Sequence, residues 1–269
     1  VDEKLQKVMA RAGYGSRREI EQWIADGRIK IDKRIATLGD RVSSNDRIFL
    51  DGKLLRLRAP KRRVIIYHKP VGEVCTRRDP EGRDTIYTNL PRLSGARWIA
   101  VGRLDLNTSG LLVLTTDGEL ANRLMHPSGE FEREYAVRVL GTASDSTLKQ
   151  LLDGVELDDG PARFTSIRAA GGEGVNQWYH VTLKEGRYRE VRRLWEAVGF
   201  AVSRLTRVRF GPVSLPRGLR TGKWQELGPR ELNSLLEAAG LERHRADERP
   251  LRKGARKKKP HVRRTARRR

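Results

Sequence analysis

Residues 102–120, GRLDLNTSGLLVLTTDGEL, decide how the rest of the chain is read. An acid, Asp105, follows Arg103 by two residues. A polar run of Asn107, Thr108, Ser109 and Gly110 comes next, and then the apolar run 111–114. Asp, Asn, Ser and Gly each favour turns for a local backbone reason. On their own these residues predict a turn that feeds a buried strand.

Working outward, residues 99–102 predict a short strand entering the turn and 111–115 a strand leaving it. Thr116 or Asp117 then caps a helix to about Met125, stopped by Pro127. Upstream, residues 64–67 predict a buried strand ended by His68-Lys69-Pro70, because proline restricts the residue before it. Residues 72–98 are loop-rich, with Pro80, Gly82, Pro91 and Gly95. Downstream, EYAVRVL (134–140) alternates as a strand does. Residues 144–153 suit a helix with Leu148, Leu151 and Leu152 inside. Strands are expected at 163–169 and 177–184. Gly171, Gly172 and Gly174 between them predict a hairpin loop rather than a phosphate loop, since no Lys-Ser/Thr ending follows. Residues 188–198 predict a helix burying Val191, Leu194, Trp195 and Val198. Strands at 203–210 and 224–227 and a helix at 229–239 follow. Strands and helices mix without regular β-α-β alternation, which predicts an α+β fold.

The N-terminal part has its own logic. Leu5, Val8, Met9 and Ala12 form one apolar stripe over 4–12. Ser16 and Glu19 have the capping-box spacing for a second helix. Ile20, Trp23 and Ile24 are its expected buried face, and Gly27 sits past its end. Short strands are expected at 28–31, 34–35 and 47–50. The division expected is a small module over 1–50, a basic linker over 51–63, a larger domain over 64–241 and a tail over 242–269.

Charge and composition bound the function. Of 269 residues, 56 are Lys or Arg and 34 Asp or Glu, a net charge of +22. Residues 242–269 hold 14 Lys or Arg against 3 Asp or Glu, so a tenth of the chain carries half the surplus. Such a surplus predicts a polyanionic partner. The tail has almost no large apolar residues, so it predicts a disordered segment sliding on phosphates. No apolar run reaches membrane-spanning length, and a cytoplasmic monomer is expected. The single cysteine, Cys75, excludes an internal disulfide and a Cys-rich metal site. Neither Cys75 nor His68 has companions at metal-ligand spacing, so no metal is expected.

Two resemblances sharpen this. Arg-Leu-Asp-x-x-Thr-Ser-Gly-Leu-Leu, within GARWIAVGRLDLNTSGLLVLTTDGELANRLMHP, resembles the catalytic motif of RNA pseudouridine synthases, in their ribosomal-RNA branch. KLQKVMARAGYGSRREIEQWIADGRIKIDKRIA resembles an S4 domain, a small RNA-binding module. The first implies a mixed, largely antiparallel, bisected sheet with the active cleft across its middle. It also implies isomerisation of a uridine without a cofactor, in 23S ribosomal RNA or a large-subunit precursor. A 16S target, another 23S site, or a non-catalytic assembly factor are the alternatives.

The resemblance assigns roles. Asp105 is the catalytic nucleophile, since a carboxylate is already ionised at neutral pH and needs no activating base. Whether it attacks C1′, adds to C6 or takes a proton at C2′ stays open. A buried carboxylate needs a cation nearby. In EGRYREVRRL (185–194), Arg192 is the candidate, with helical spacing from Tyr188 placing both on one face; Arg193 is the fallback. Tyr135 matches the motif tyrosine that stacks on the base and joins the proton step. Arg103 would fill the gap left when the uridine swings out. In the S4-like module, Lys7, Arg11, Ser16, Arg17, Arg18, Arg28 and Lys30 form the expected RNA-gripping face, with helix N–H groups and guanidinium forks on phosphates.

Overall fold

The computed structural model describes residues 2–57 and 61–242, and the basic tail expected at 242–269 lies outside them apart from Glu242. The N-terminal module begins with β1 (Glu3–Lys4), α1 (Leu5–Arg11) and α2 (Arg17–Ala25). Both halves of the expected capping box form. Glu19 N–H donates to Ser16 Oγ at 3.1 Å, and Ser16 N–H donates to Glu19 Oε2 at 2.7 Å. Next come β2 (Ile29–Ile31), β3 (Arg34–Ile35), β4 (Arg41–Val42), β5 (Ile48–Leu50) and β6 (Lys53–Leu54). They form a four-stranded sheet, β3-β2-β5-β6, beside a two-stranded β1-β4 pair. Leu5, Met9, Ile20, Ile24, Ile29 and Ile48 fill a separate small core.

Part of the expected linker belongs to this module. Lys53 and Leu54 pair with Leu50 and Phe49, and Leu55 and Leu57 pack against the module's core. A two-residue strand is too short to show a period, so its residues read as irregular.

The larger domain comprises β7 (Val64–Lys69), β8 (Ile99–Ala100), β9 (Ser109–Thr115), α3 (Gly118–Met125), β10 (Arg133–Leu140), α4 (Asp145–Asp153), β11 (Val155–Leu157), β12 (Gly160–Ala162), β13 (Ser166–Glu173), β14 (Asn176–Leu183), α5 (Glu190–Ala197), β15 (Val202–Phe210), β16 (Val213–Ser214), β17 (Trp224–Glu226) and α6 (Pro229–Ala238). The main sheet runs β13-β14-β10-β15-β9-β7-β17, and its pairings are antiparallel except one. That exception joins β9 to β15 in parallel over two residue pairs, Ser109 with Thr206 and Gly110 with Arg207. The sheet is therefore two antiparallel halves joined across a short parallel seam. Gly110 makes the seam possible. Its φ is +107°, and a Cβ there would lie 2.3 Å from the Arg207 carbonyl oxygen.

Both faces of the central strands are covered. Ile65, Tyr67, Leu112 and Leu114 face one core, with Val191, Leu194 and Trp195 of α5. Val64, Ile66, Leu111 and Val113 face the other, with Leu120 of α3 and Leu235 of α6. This explains why 64–67 and 111–114 read as continuous apolar runs. In α4, Leu151 is buried and Leu148 half-buried, but Leu152 is 37% exposed, contrary to expectation. The expected helix at 188–198 begins at Glu190 because Arg189 is left-handed, with φ +49°. Tyr188 therefore lies outside the helix, 75% exposed, and shares no helical face with Arg192.

Candidate active site

Asp105 stands in the turn that precedes β9, where the chain approaches the seam between the two half-sheets. It lines a cleft of about 990 Å³ together with Arg103, Tyr135, Arg133, Arg207, Tyr188 and Glu190. The turn closes on itself through Thr108 N–H donating to the Asp105 carbonyl at 3.0 Å. What fixes it is a set of buried cations acting on its backbone. Lys69, at the end of β7, is fully buried, and its Nζ donates to the carbonyls of Pro70 (2.8 Å), Asp105 (3.1 Å) and Thr108 (3.0 Å), with that of Leu106 at 3.5 Å. Arg192 Nη2 donates to the Asn107 carbonyl at 2.9 Å, and its Nη1 to Val202 O at 2.8 Å. Arg207, 3% exposed, donates from Nε to the Leu111 carbonyl at 2.8 Å.

The expected Asp105–Arg192 ion pair is thus replaced by something else. Arg192 spends its guanidinium on the carbonyl two residues after Asp105, and no ion pair joins the two side chains among the described residues. Arg192 still feels the carboxylate: burial pushes its pKa down, Arg189 adds to this, and Asp105 opposes it. Arg193, the fallback, turns away and binds Asp159 at 2.9 Å. Lys69 follows the same physics. Burial lowers its pKa, and Cys75, Glu73 and Asp105 favour its charged form. Three cations without a carboxylate partner give the cleft a positive field, suited to anionic groups.

The other expected residues fall as follows. Tyr135, in β10, is 8% exposed, lines the cleft, and leaves its hydroxyl unbonded among the described residues. Arg103 is exposed at the rim with no carboxylate on it. Cys75 is a packed thiol: its Sγ lies 3.4 Å from the Leu104 carbonyl and 3.5 Å from Leu104 N, and burial pushes its pKa up. His68 Nδ1 meets the Leu219 carbonyl at 2.8 Å.

On the N-terminal module the expected face divides. Lys7 and Arg11 share Glu3, and Arg28 forks onto Asp51. Arg17, Arg18 and Lys30 are exposed and carry no acid among the described residues, while Ser16 is occupied as the cap of α2.

Motifs and spacing alone do not point to Lys69 or Arg207. Lys69 does carry a signal: it ends a strand with no alternation, so both faces of that strand are buried and the lysine is buried with them. Arg207 carries none, since the apolar residues of its strand, Val202, Leu205, Val208 and Phe210, do not alternate and assign it to no face.

Against known proteins, the family model described as RNA pseudouridylate synthase matches residues 63–197, and the S4 domain matches residues 3–48. The chain belongs to the RNA pseudouridylate synthase family, with an S4 domain at its N-terminal end. It is an isomerase of that family. It is 61% identical over 246 residues to the ribosomal large subunit pseudouridine synthase B of Escherichia coli (strain K12), covering 90% of this chain and 84% of that one. It is 58% identical over 262 residues to the Yersinia pestis protein of the same name, covering 96% and 82%. A crystal structure of a pseudouridylate synthase superposes with a TM-score of 0.61 at 26% identity, over 86% of this chain and 99% of that one.

Proposed function

We propose that this enzyme converts one uridine of 23S ribosomal RNA to pseudouridine during large-subunit maturation, acting through Asp105. The observation that carries this is the clamped turn. Lys69 and Arg192 hold the carbonyls around Asp105, which fixes the backbone that bears its carboxylate in a cleft that Tyr135 also lines and that is wide enough for an extruded nucleotide. The names of the relatives above support the large-subunit target.

The reaction breaks the C1′–N1 bond, turns the base and forms a C1′–C5 bond. N1 gains a proton and C5 loses one, so the balance needs no oxidant and no cofactor. In this reading Asp105 acts on the sugar or base, Tyr135 stacks on the uracil and serves the proton step, and Arg103 fills the gap in the RNA. Lys7, Arg11, Arg17, Arg18, Arg28 and Lys30 take the RNA backbone. Lys7, Arg11 and Arg28 do so by exchanging exposed carboxylates for phosphates, which costs little because exposed pairs are weak. Incubating the protein with 23S fragments and mapping the product by carbodiimide tests the reading. A pseudouridine at one 23S position that disappears with Asp105→Asn supports it. Modification of 16S RNA alone, or none, overturns it.

A further inference from the structure

We propose that Arg77 and Arg97, with Arg17 of the N-terminal module, form a phosphodiester-binding seam between the two domains. The backbone of the substrate RNA crosses this seam between the module and Asp105. The inference rests on RNA being the substrate, and it adds residues that neither the motifs nor the catalytic turn assign.

The module and the catalytic domain touch where Gly13 meets Gly95 and Ala96: a Cβ on Gly13 would lie 2.7 Å from Gly95 C and 2.8 Å from Ala96 N. This junction sets the start of α2 beside residue 97. Ser16, Arg77 and Arg97 then line the same cleft as Asp105, so the groove is continuous from the module to the catalytic turn. The loop carrying the two arginines is anchored. Trp98 is buried and donates from Nε1 to Pro91 O at 2.8 Å, and Ile86 is fully buried. Arg77 is held in place, with Nη2 on the Trp98 carbonyl at 2.5 Å and its guanidinium 4.3 Å from the Tyr87 ring centroid.

The charge of this groove is uncompensated. None of Arg17, Arg77, Arg78 and Arg97 has a carboxylate within ion-pair distance among the described residues. Arg97 is half-buried, and its Nε is inaccessible and unbonded. Burial is the largest cause lowering its pKa, and Arg77 and Arg17 both repel it. The one acid that offsets this, Glu19, is engaged in capping α2 through the Ser16 backbone. An acid does meet the neighbouring arginine of this same loop, since Arg83 pairs with Asp79 and Glu81. Like charges gathered without an ion-pair partner call for an external anion, and a guanidinium fork fits a phosphate.

The test uses the full chain. The double variant Arg77→Gln/Arg97→Gln is expected to raise KM on a 23S fragment about tenfold, with kcat changed less than about threefold. It should also make the salt dependence of RNA affinity shallower, by about one in log–log slope for each phosphate no longer bound. Its melting temperature without RNA is expected to stay near that of the wild type, because the repulsion removed offsets the lost hydrogen bond to the Trp98 carbonyl. Arg77→Lys/Arg97→Lys is expected to restore the slope. Should the double variant fold poorly, the exposed Arg77→Gln alone is expected to give half the slope change. A wild-type slope in these variants overturns the seam, as does a shallower slope that lysine does not restore. Inorganic phosphate is the second arm. If it raises the melting temperature of the wild type but not of the double variant while RNA slopes match, the site takes free anion only and the proposal falls. Wild-type turnover on the same fragments separates the two ideas: without turnover the proposed reaction fails, whereas the seam is judged on the slope.

Discussion

The two domains use positive charge in opposite ways. On the N-terminal module the cations lie on the surface and many face acids: Glu3 with Lys7 and Arg11, Asp51 with Arg28, Asp40 with Arg34. Around Asp105 the cations are buried and hold carbonyls instead. Exposed pairs contribute little to stability and exchange readily for phosphate. A buried cation on backbone oxygens is different, since removing it leaves those oxygens without partners. The module's charge is therefore available for binding, and the charge beneath the Asp105 turn fixes its geometry.

This contrast can be broken in several places, the largest effect first. Asp105→Asn is expected to lower turnover by at least about 10³-fold with RNA affinity unchanged. Turnover within tenfold of wild type would remove Asp105 from the chemistry. Lys69→Met keeps the bulk and removes the donors. It is expected to destabilise the fold by about 2–4 kcal/mol in denaturant melts and to lower kcat by about 10²-fold as the turn shifts. A stability loss with intact kcat would make the clamp structural only.

Tyr67 gives a pH test in the buried domain. Its hydroxyl donates to Glu73 Oε2 at 2.7 Å, and burial, then Glu73, push its pKa well up. A raised folded-state pKa gives stability that is full below the unfolded value of about 10 and is lost as pH rises towards the folded one. Tyr67→Phe is therefore expected to flatten the alkaline limb of the stability profile above about pH 10. An unchanged limb would show that the hydroxyl is not held. Ser16→Ala is expected to cost about 1 kcal/mol through the lost cap of α2, read from melts of the full chain. The smallest effect belongs to Asp40, whose pKa Arg34 draws down to about 2. That stability is present above the unfolded value of 3.8 and lost as pH falls through about 2. Asp40→Asn is expected to shift only the acid limb, slightly. A large shift would mean that the surface pair is worth more than the contrast allows.

Most of the fold is legible from local signals. The capping box at Ser16, the twofold alternation at 134–140 and the unbroken apolar runs at 64–67 and 111–114 each name their element. What escapes is short or non-local. Two-residue strands such as Lys53–Leu54 have no period, and the Val155–Leu157 and Gly160–Ala162 hairpin is nearly as short. Periodicity places the start of α5 too early because left-handed Arg189 delays it, and Glu190 Oε2 accepts the Arg187 N–H as the helix begins. At the site, the residue types are readable but not their partners. A motif can announce that an arginine is needed near Asp105, but only the folded chain shows that guanidinium grasping Asn107's carbonyl.

Gly110 carries a lesson for anyone wishing to transplant this chemistry. The loop bearing Asp105 is shaped by a strand that arrives almost a hundred residues later and presses against a position where even a methyl group has no room. A graft of residues 102–120 onto another scaffold would bring the letters of the motif without the wall they lean on. The smallest transferable unit is the crossing itself, both strands together, and a designer who moves one must move the other.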